Sequence, residues 1–139
     1  MNRRDFIKLA PVLAVSAGIP GLVNAAPTPM AGGVFYTKGK PGRWAGREAT
    51  HIPVLSITQT QTGIILNVAN NSHPMEAYKH YIVKHVILDA NFKFGAEKLF
   101  NPTTDQKAIS SFNLGNYKGV IHVLSVCNLH DTWLTAIKI

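Results

Sequence analysis

Val120-Ile121-His122-Val123-Leu124-Ser125-Val126-Cys127-Asn128-Leu129-His130 carries the reading of this chain. Its first part is apolar and rich in β-branched residues, as a buried strand requires. Asn128 breaks the run and predicts a tight turn. The turn holds the only cysteine of the chain, with His130 three residues later. A lone thiol forms no internal disulfide. It can be an apolar filler, a nucleophile or a soft metal ligand. A turn at a strand end can aim a thiolate and an imidazole at one point, as a metal needs.

The chain reads as all-β from His51. Strands are predicted over 52–59, 63–69, 80–89, 92–100, 107–114, 119–127 and 133–137. Thr60-Gln61-Thr62-Gly63 is a hairpin turn, and Asn70-Asn71-Ser72-His73-Pro74 is a further turn. Val34-Phe35-Tyr36 is a candidate short strand. No segment outside the leader sustains a helical period. About seven short strands at this spacing predict a β-sandwich.

Residues 1–25 stand apart. Asn2-Arg3-Arg4-Asp5-Phe6-Ile7-Lys8 has twin arginines, an apolar residue and a lysine, and an uncharged run follows to Val23. Val23-Asn24-Ala25 suits signal-peptidase cleavage. This resembles a twin-arginine export signal, which implies a folded cargo and a periplasmic location. Pro11, Gly18, Pro20 and Gly21 interrupt the apolar run, so no stable membrane span is expected after cleavage. Residues 26–46 read as a Pro/Gly-rich leader and a basic loop, and residues 47–139 as the domain. The formal charge is +7. The signal holds Arg3, Arg4, Lys8 and Asp5, so the remainder carries +5. That balance attracts small anions and acidic surfaces. The lysines are dispersed, with no basic helix or aromatic stripe, so nucleic acid is not expected as a partner. A homo-oligomer is left open.

Six histidines are present. His51, His73, His80 and His130 fall at predicted element boundaries, where the loops of a sandwich can converge. His85 and His122 fall inside strands and read as packed or surface imidazoles. Four boundary imidazoles and one thiolate suit a redox-active iron better than a structural zinc, which is closed at four ligands.

His51-Ile52-Pro53, His73-Pro74-Met75, His80-Tyr81-Ile82 and Cys127-Asn128-Leu129-His130 with Trp133 resemble the superoxide reductases, which include the desulfoferrodoxins and neelaredoxins. The resemblance spans about residues 47–139. It implies an immunoglobulin-like β-sandwich with one mononuclear non-haem iron, cycling between Fe2+ and Fe3+. His51, His73, His80 and His130 would be the equatorial ligands and Cys127 the axial one. The implied reaction is one-electron reduction of superoxide to hydrogen peroxide, with an electron donor such as a cytochrome or a rubredoxin-like protein. A single cysteine implies the one-iron type.

Three positions depart from the family pattern. Ala49-Thr50 replaces the usual Glu-Lys before the first histidine. Glu48 is then the candidate displaced carboxylate, and Lys79, Arg47 or Lys40 the candidate replacement cation. His73 and His80 are seven residues apart where six is usual. Asp131 stands where the family has glycine; it could orient His130 or repel an anion, and it reads first as a solvated carboxylate. Two other functions are compatible with the sequence. One is a redox or small-ligand-binding iron protein on the same scaffold. The other is a cupredoxin-like electron carrier, although no methionine follows His130.

Overall fold

The computed structural model describes residues 30–139. The expected export signal and residues 26–29 of the leader lie outside these residues. Seven strands follow in order: β1 Val54–Thr60, β2 Gly63–Asn70, β3 Ile82–Leu88, β4 Phe94–Leu99, β5 Ala108–Gly115, β6 Val120–Cys127 and β7 Asp131–Lys138. They form two antiparallel sheets, ordered β1-β2-β5 and β4-β3-β6-β7. The chain crosses between sheets after β2, β4 and β5, which makes an immunoglobulin-like sandwich. No helix among the described residues is long and apolar enough to cross a membrane.

Period-2 alternation builds the core. Ile64, Leu66 and Val68 of β2 are buried, as are Ile121 and Val123 of β6. Leu66, Val68, Ile121 and Val123 pack with Ile87 and Phe112. Leu66 is fully buried, so Leu66→Ala should cost about 3 kcal/mol, read as a lower denaturant midpoint. The same alternation carries Asn70 inward at the end of β2, and Ser125 and Cys127 inward at the end of β6. The interior therefore turns from apolar to polar along the strands, and the histidines gather at the polar end.

Two boundaries differ from the sequence reading. His51 does not open a strand; it ends α1, a single helical turn over Glu48–His51. Pro53 has no N–H for a ladder, so pairing starts only at Val54. His80 likewise precedes its strand, which starts at Ile82. Val34-Phe35-Tyr36 makes isolated bridges in place of a strand. Tyr36 lies along β7, donating its N–H to Thr132 O and accepting from Leu134 N–H. At the β1–β2 hairpin, Gly63 has φ +148, and a Cβ there would meet Gly115 O at 2.6 Å. Only glycine fits that approach.

Candidate metal centre

Three chain segments meet at the polar end of the sandwich. Cys127 and His130 come from the β6–β7 turn. His51 comes from α1, and His73 and His80 from the β2–β3 connection. His51 Nε2 lies 3.1 Å from His130 Nδ1 and 3.2 Å from His73 Nε2. Cys127 Sγ lies 3.4 Å from His73 Nε2 and 3.6 Å from His130 Nδ1. Ligand atoms of His51, His80, Cys127 and His130 are all within 4.8 Å of one another. All five residues expected from the sequence are thus brought together. His85 and His122 are not: their rings bond Ser110 and Asn70, and the Asp89 carbonyl.

The extra residue between His73 and His80 is taken up in a closed turn. His80 N–H donates to Glu76 O, and Glu76 N–H donates to His80 O. Tyr78 at φ +60 forms the exposed tip. The two rings still meet edge to face, with centroids 4.5 Å apart.

The outer nitrogens are committed. His51 Nδ1 donates to Arg47 O at 2.9 Å, and His73 Nδ1 donates to Pro74 O at 2.7 Å. A carbonyl only accepts, so each Nδ1 carries the proton and each Nε2 presents a lone pair. Those two lone pairs face each other across 3.2 Å. His80 Nε2 is buried and has no hydrogen-bond partner. Facing lone pairs and an orphaned nitrogen cost energy unless a cation sits among them.

Protonation points the same way. Burial lowers the pKa of His51 and His73 to about 4. Burial also lowers those of His80 and His130, with Arg47 adding to the effect. Neutral imidazoles are what a metal binds. Burial raises the Cys127 thiol, while backbone amides of Leu129 and His130 and the charge of Arg47 favour its thiolate. The thiol loses its proton when a metal takes it.

The cysteine turn is stapled from both sides. Asn128 accepts from Tyr81 N–H at 2.9 Å and donates to Lys79 O at 3.0 Å. Its own N–H donates to Tyr81 O. Trp133, fully buried, donates its indole N–H to His130 O at 2.8 Å.

Asp131 is not the solvated carboxylate that the sequence reading expected. It closes the turn at φ +63, a conformation that glycine adopts freely and Asp tolerates. Its carboxylate accepts from Trp44 Nε1 at 2.8 Å and pairs with Arg43. Those two bonds, Trp44 first, hold it below the usual carboxylate pKa. Trp44 meets the His130 ring edge to face, with centroids 4.7 Å apart. The basic loop is therefore clasped over the cluster. Asp131→Gly would relieve backbone strain while losing the clasp. Global stability should change by less than about 1 kcal/mol, while proteolysis of residues 39–47 speeds up.

Glu48 lies apart from the cluster. Its carboxylate accepts from Gly46 N–H at 2.9 Å and lines a surface cavity with Lys38, Ala49, Ile52 and Val54. It is not among the converging groups. Lys79 reaches the turn through its backbone carbonyl. The cation whose charge acts on His51, His80, His130 and Cys127 is Arg47. The sequence does not single out Asn70 or Trp44, and it marks Asn128 only as the break that ends the strand; the partners of all three lie far away in the chain.

The desulfoferrodoxin family model matches residues 43–136, more than half of the chain. The chain belongs to the desulfoferrodoxin family. Among solved structures, a single-residue variant of the superoxide reductase (neelaredoxin) from Ignicoccus hospitalis is 22% identical, with TM-score 0.65, covering 78% of this chain and 94% of that one. The superoxide reductase from Nanoarchaeum equitans is 23% identical, with TM-score 0.53, covering 66% and 94%. These likenesses carry the fold. Comparison with curated proteins finds no match. In this desulfoferrodoxin the thiol and imidazoles fit a mononuclear iron centre.

Proposed function

We propose that this desulfoferrodoxin reduces superoxide by one electron to hydrogen peroxide, at an iron held by His51, His73, His80, His130 and Cys127. The observation that carries the reading is the clustering of the His51, His80, Cys127 and His130 ligand atoms, with His73 Nε2 against His51 and Cys127. The superoxide reductase names of its structural neighbours support the choice of substrate.

When bound, iron supplies the electron and a Lewis-acidic place for the anion. The chain supplies the rest. Neutral imidazoles leave the site cationic, so an anion is drawn in. Arg47 adds positive charge beside the cluster and takes the place of the absent lysine. The amides of Leu129 and His130 stabilise the Cys127 sulfur as an anion. Trp44 packs edge to face on the His130 ring, and Trp133 fixes the His130 carbonyl. The balance is one superoxide, one electron and two protons to one peroxide.

An external donor, a cytochrome or rubredoxin-like protein, would restore the electron. Export through the twin-arginine signal would place the reaction in the periplasm. A second reading, an iron protein that binds small ligands without turnover, is favoured by Glu48, whose carboxylate is engaged at Gly46.

Metal analysis joined to rapid mixing with pulse-generated superoxide separates the two. The proposed function requires ferrous protein to oxidise as superoxide disappears, with peroxide formed one for one. Iron-loaded protein that leaves superoxide untouched, yet binds cyanide or nitric oxide tightly, would establish the second reading.

A further inference from the structure

We propose that Asn70 and His85 are positioning residues that set the His51 imidazole from inside the core. The inference rests on His51 being an iron ligand, as proposed above. The turn that carries His51 needs such support. α1 is only four residues long, and one isolated helical turn is not stable by itself. Ladder pairing begins only after Pro53, at Val54. Within α1, two backbone bonds hold it: His51 N–H to Arg47 O and Ile52 N–H to Glu48 O.

Asn70 supplies the link to the sandwich. It is buried at the inner end of β2. Its Nδ2 lies 3.0 Å from His51 O and 3.4 Å from both Thr50 O and Ile52 O. Three carbonyls accept only, so the amide nitrogen must face them. Its oxygen then faces inward, where it accepts from Ser125 Oγ–H at 2.8 Å and from His85 Nε2 at 2.7 Å. His85 must therefore carry its proton on Nε2. Its Nδ1 accepts from Ser110 Oγ–H at 2.7 Å. Every bond direction in this chain is dictated by its neighbour, from Ser110 to the His51 carbonyl. His85 is fully buried, and burial keeps it neutral, so the network holds one arrangement.

The backbone geometry places His85 for this role. A register shift in β3 between Ile82 and Lys84 changes the alternation, and Ile82 and His85 are both buried. His85 is paired with Ser125, which bonds the same Asn70 oxygen. An apolar residue at 85 would leave that oxygen with Ser125 alone and hold the Asn70 amide less firmly against the three carbonyls.

The test combines the unaltered protein with three variants. In unaltered protein, nitrogen NMR should show His85 as the Nε2–H tautomer; an Nδ1–H tautomer overturns the proposal without any mutation. In metal-free protein, His85→Leu should speed amide exchange at His51 and Ile52 by about tenfold. In iron-loaded protein it should speed iron release to a chelator by about tenfold and shift the ferric absorption. His85→Gln, which keeps an N–H donor, should restore most of each effect. Ser110→Ala removes only the far bond, so it should lower global stability and leave exchange, release and absorption in place. Equal effects from Ser110→Ala would mean general loosening and would overturn the positioning role. Unchanged exchange at His51 and Ile52 in His85→Leu would do the same. If the protein binds no iron but the exchange effect appears, the metal reading fails and the positioning of the turn stands.

Discussion

Cys127→Ser should abolish the visible sulfur-to-iron absorption of the ferric protein and reduce superoxide consumption to that of the iron-free protein. Cys127 is buried and lies 3.4 Å from His73 Nε2 and 3.6 Å from His130 Nδ1, so its sulfur is part of the cluster wall. A hydroxyl in its place gives up its proton far less readily and is a harder donor. The amides of Leu129 and His130, aimed at an anionic sulfur, would face a neutral oxygen. His122→Ala is the control. That ring stacks on Phe92 and bonds the Asp89 carbonyl, so iron content and absorption should stay as they are. Persistence of the absorption in Cys127→Ser would refute sulfur ligation.

Acidification should destabilise the metal-free protein strongly between about pH 6.5 and pH 4. His85 is fully buried, and burial lowers its pKa to about 4. In the unfolded chain it titrates near 6.5. Below that pH the unfolded chain binds a proton that the folded chain refuses, so stability falls as pH falls. The contribution is complete above pH 6.5 and is lost by about pH 4. Its size is about 3 kcal/mol. His51 and His73, also lowered to about 4 by burial, add in the same direction. Stability therefore falls as the pH falls through this window. Urea titrations of metal-free protein from pH 7 to pH 4.5 measure it. In His85→Gln the slope should fall by up to about 1.4 kcal/mol per pH unit. An identical slope in that variant would show that His85 takes up its proton in the folded state.

Much of this was legible in the sequence because two signals are local. Alternation in Gly63–Asn70 and Val120–Cys127 names the inward residues directly, and the turn after Cys127 places a thiol beside an imidazole. The histidines at 51, 73, 80 and 130 stood out because each borders an element. What stayed hidden depends on partners distant in the chain. Asp131 reads as a surface acid until Arg43 and Trp44, nearly ninety residues earlier, are folded against it. Asn70 reads as a turn residue until the carbonyls of Thr50, His51 and Ile52 arrive over it. His85 reads as one more strand imidazole until Ser110 and Asn70 flank it. Glu48 reads as a glutamate displaced one place back from the first histidine until its carboxylate is seen to accept from Gly46 N–H.

The candidate ligands come from segments far apart in sequence: His51 meets His130 across 79 residues, and His73 meets Cys127 across 54. Contacts of that span form late, after the strands that carry them have docked. A bound metal would therefore add little to the speed of folding. It would act on escape from the folded state, because separating these segments means breaking ligand bonds to all of them. Metal loading should appear as a slower unfolding limb with an unchanged refolding limb, and the chain would hold its iron for as long as the sandwich stays shut.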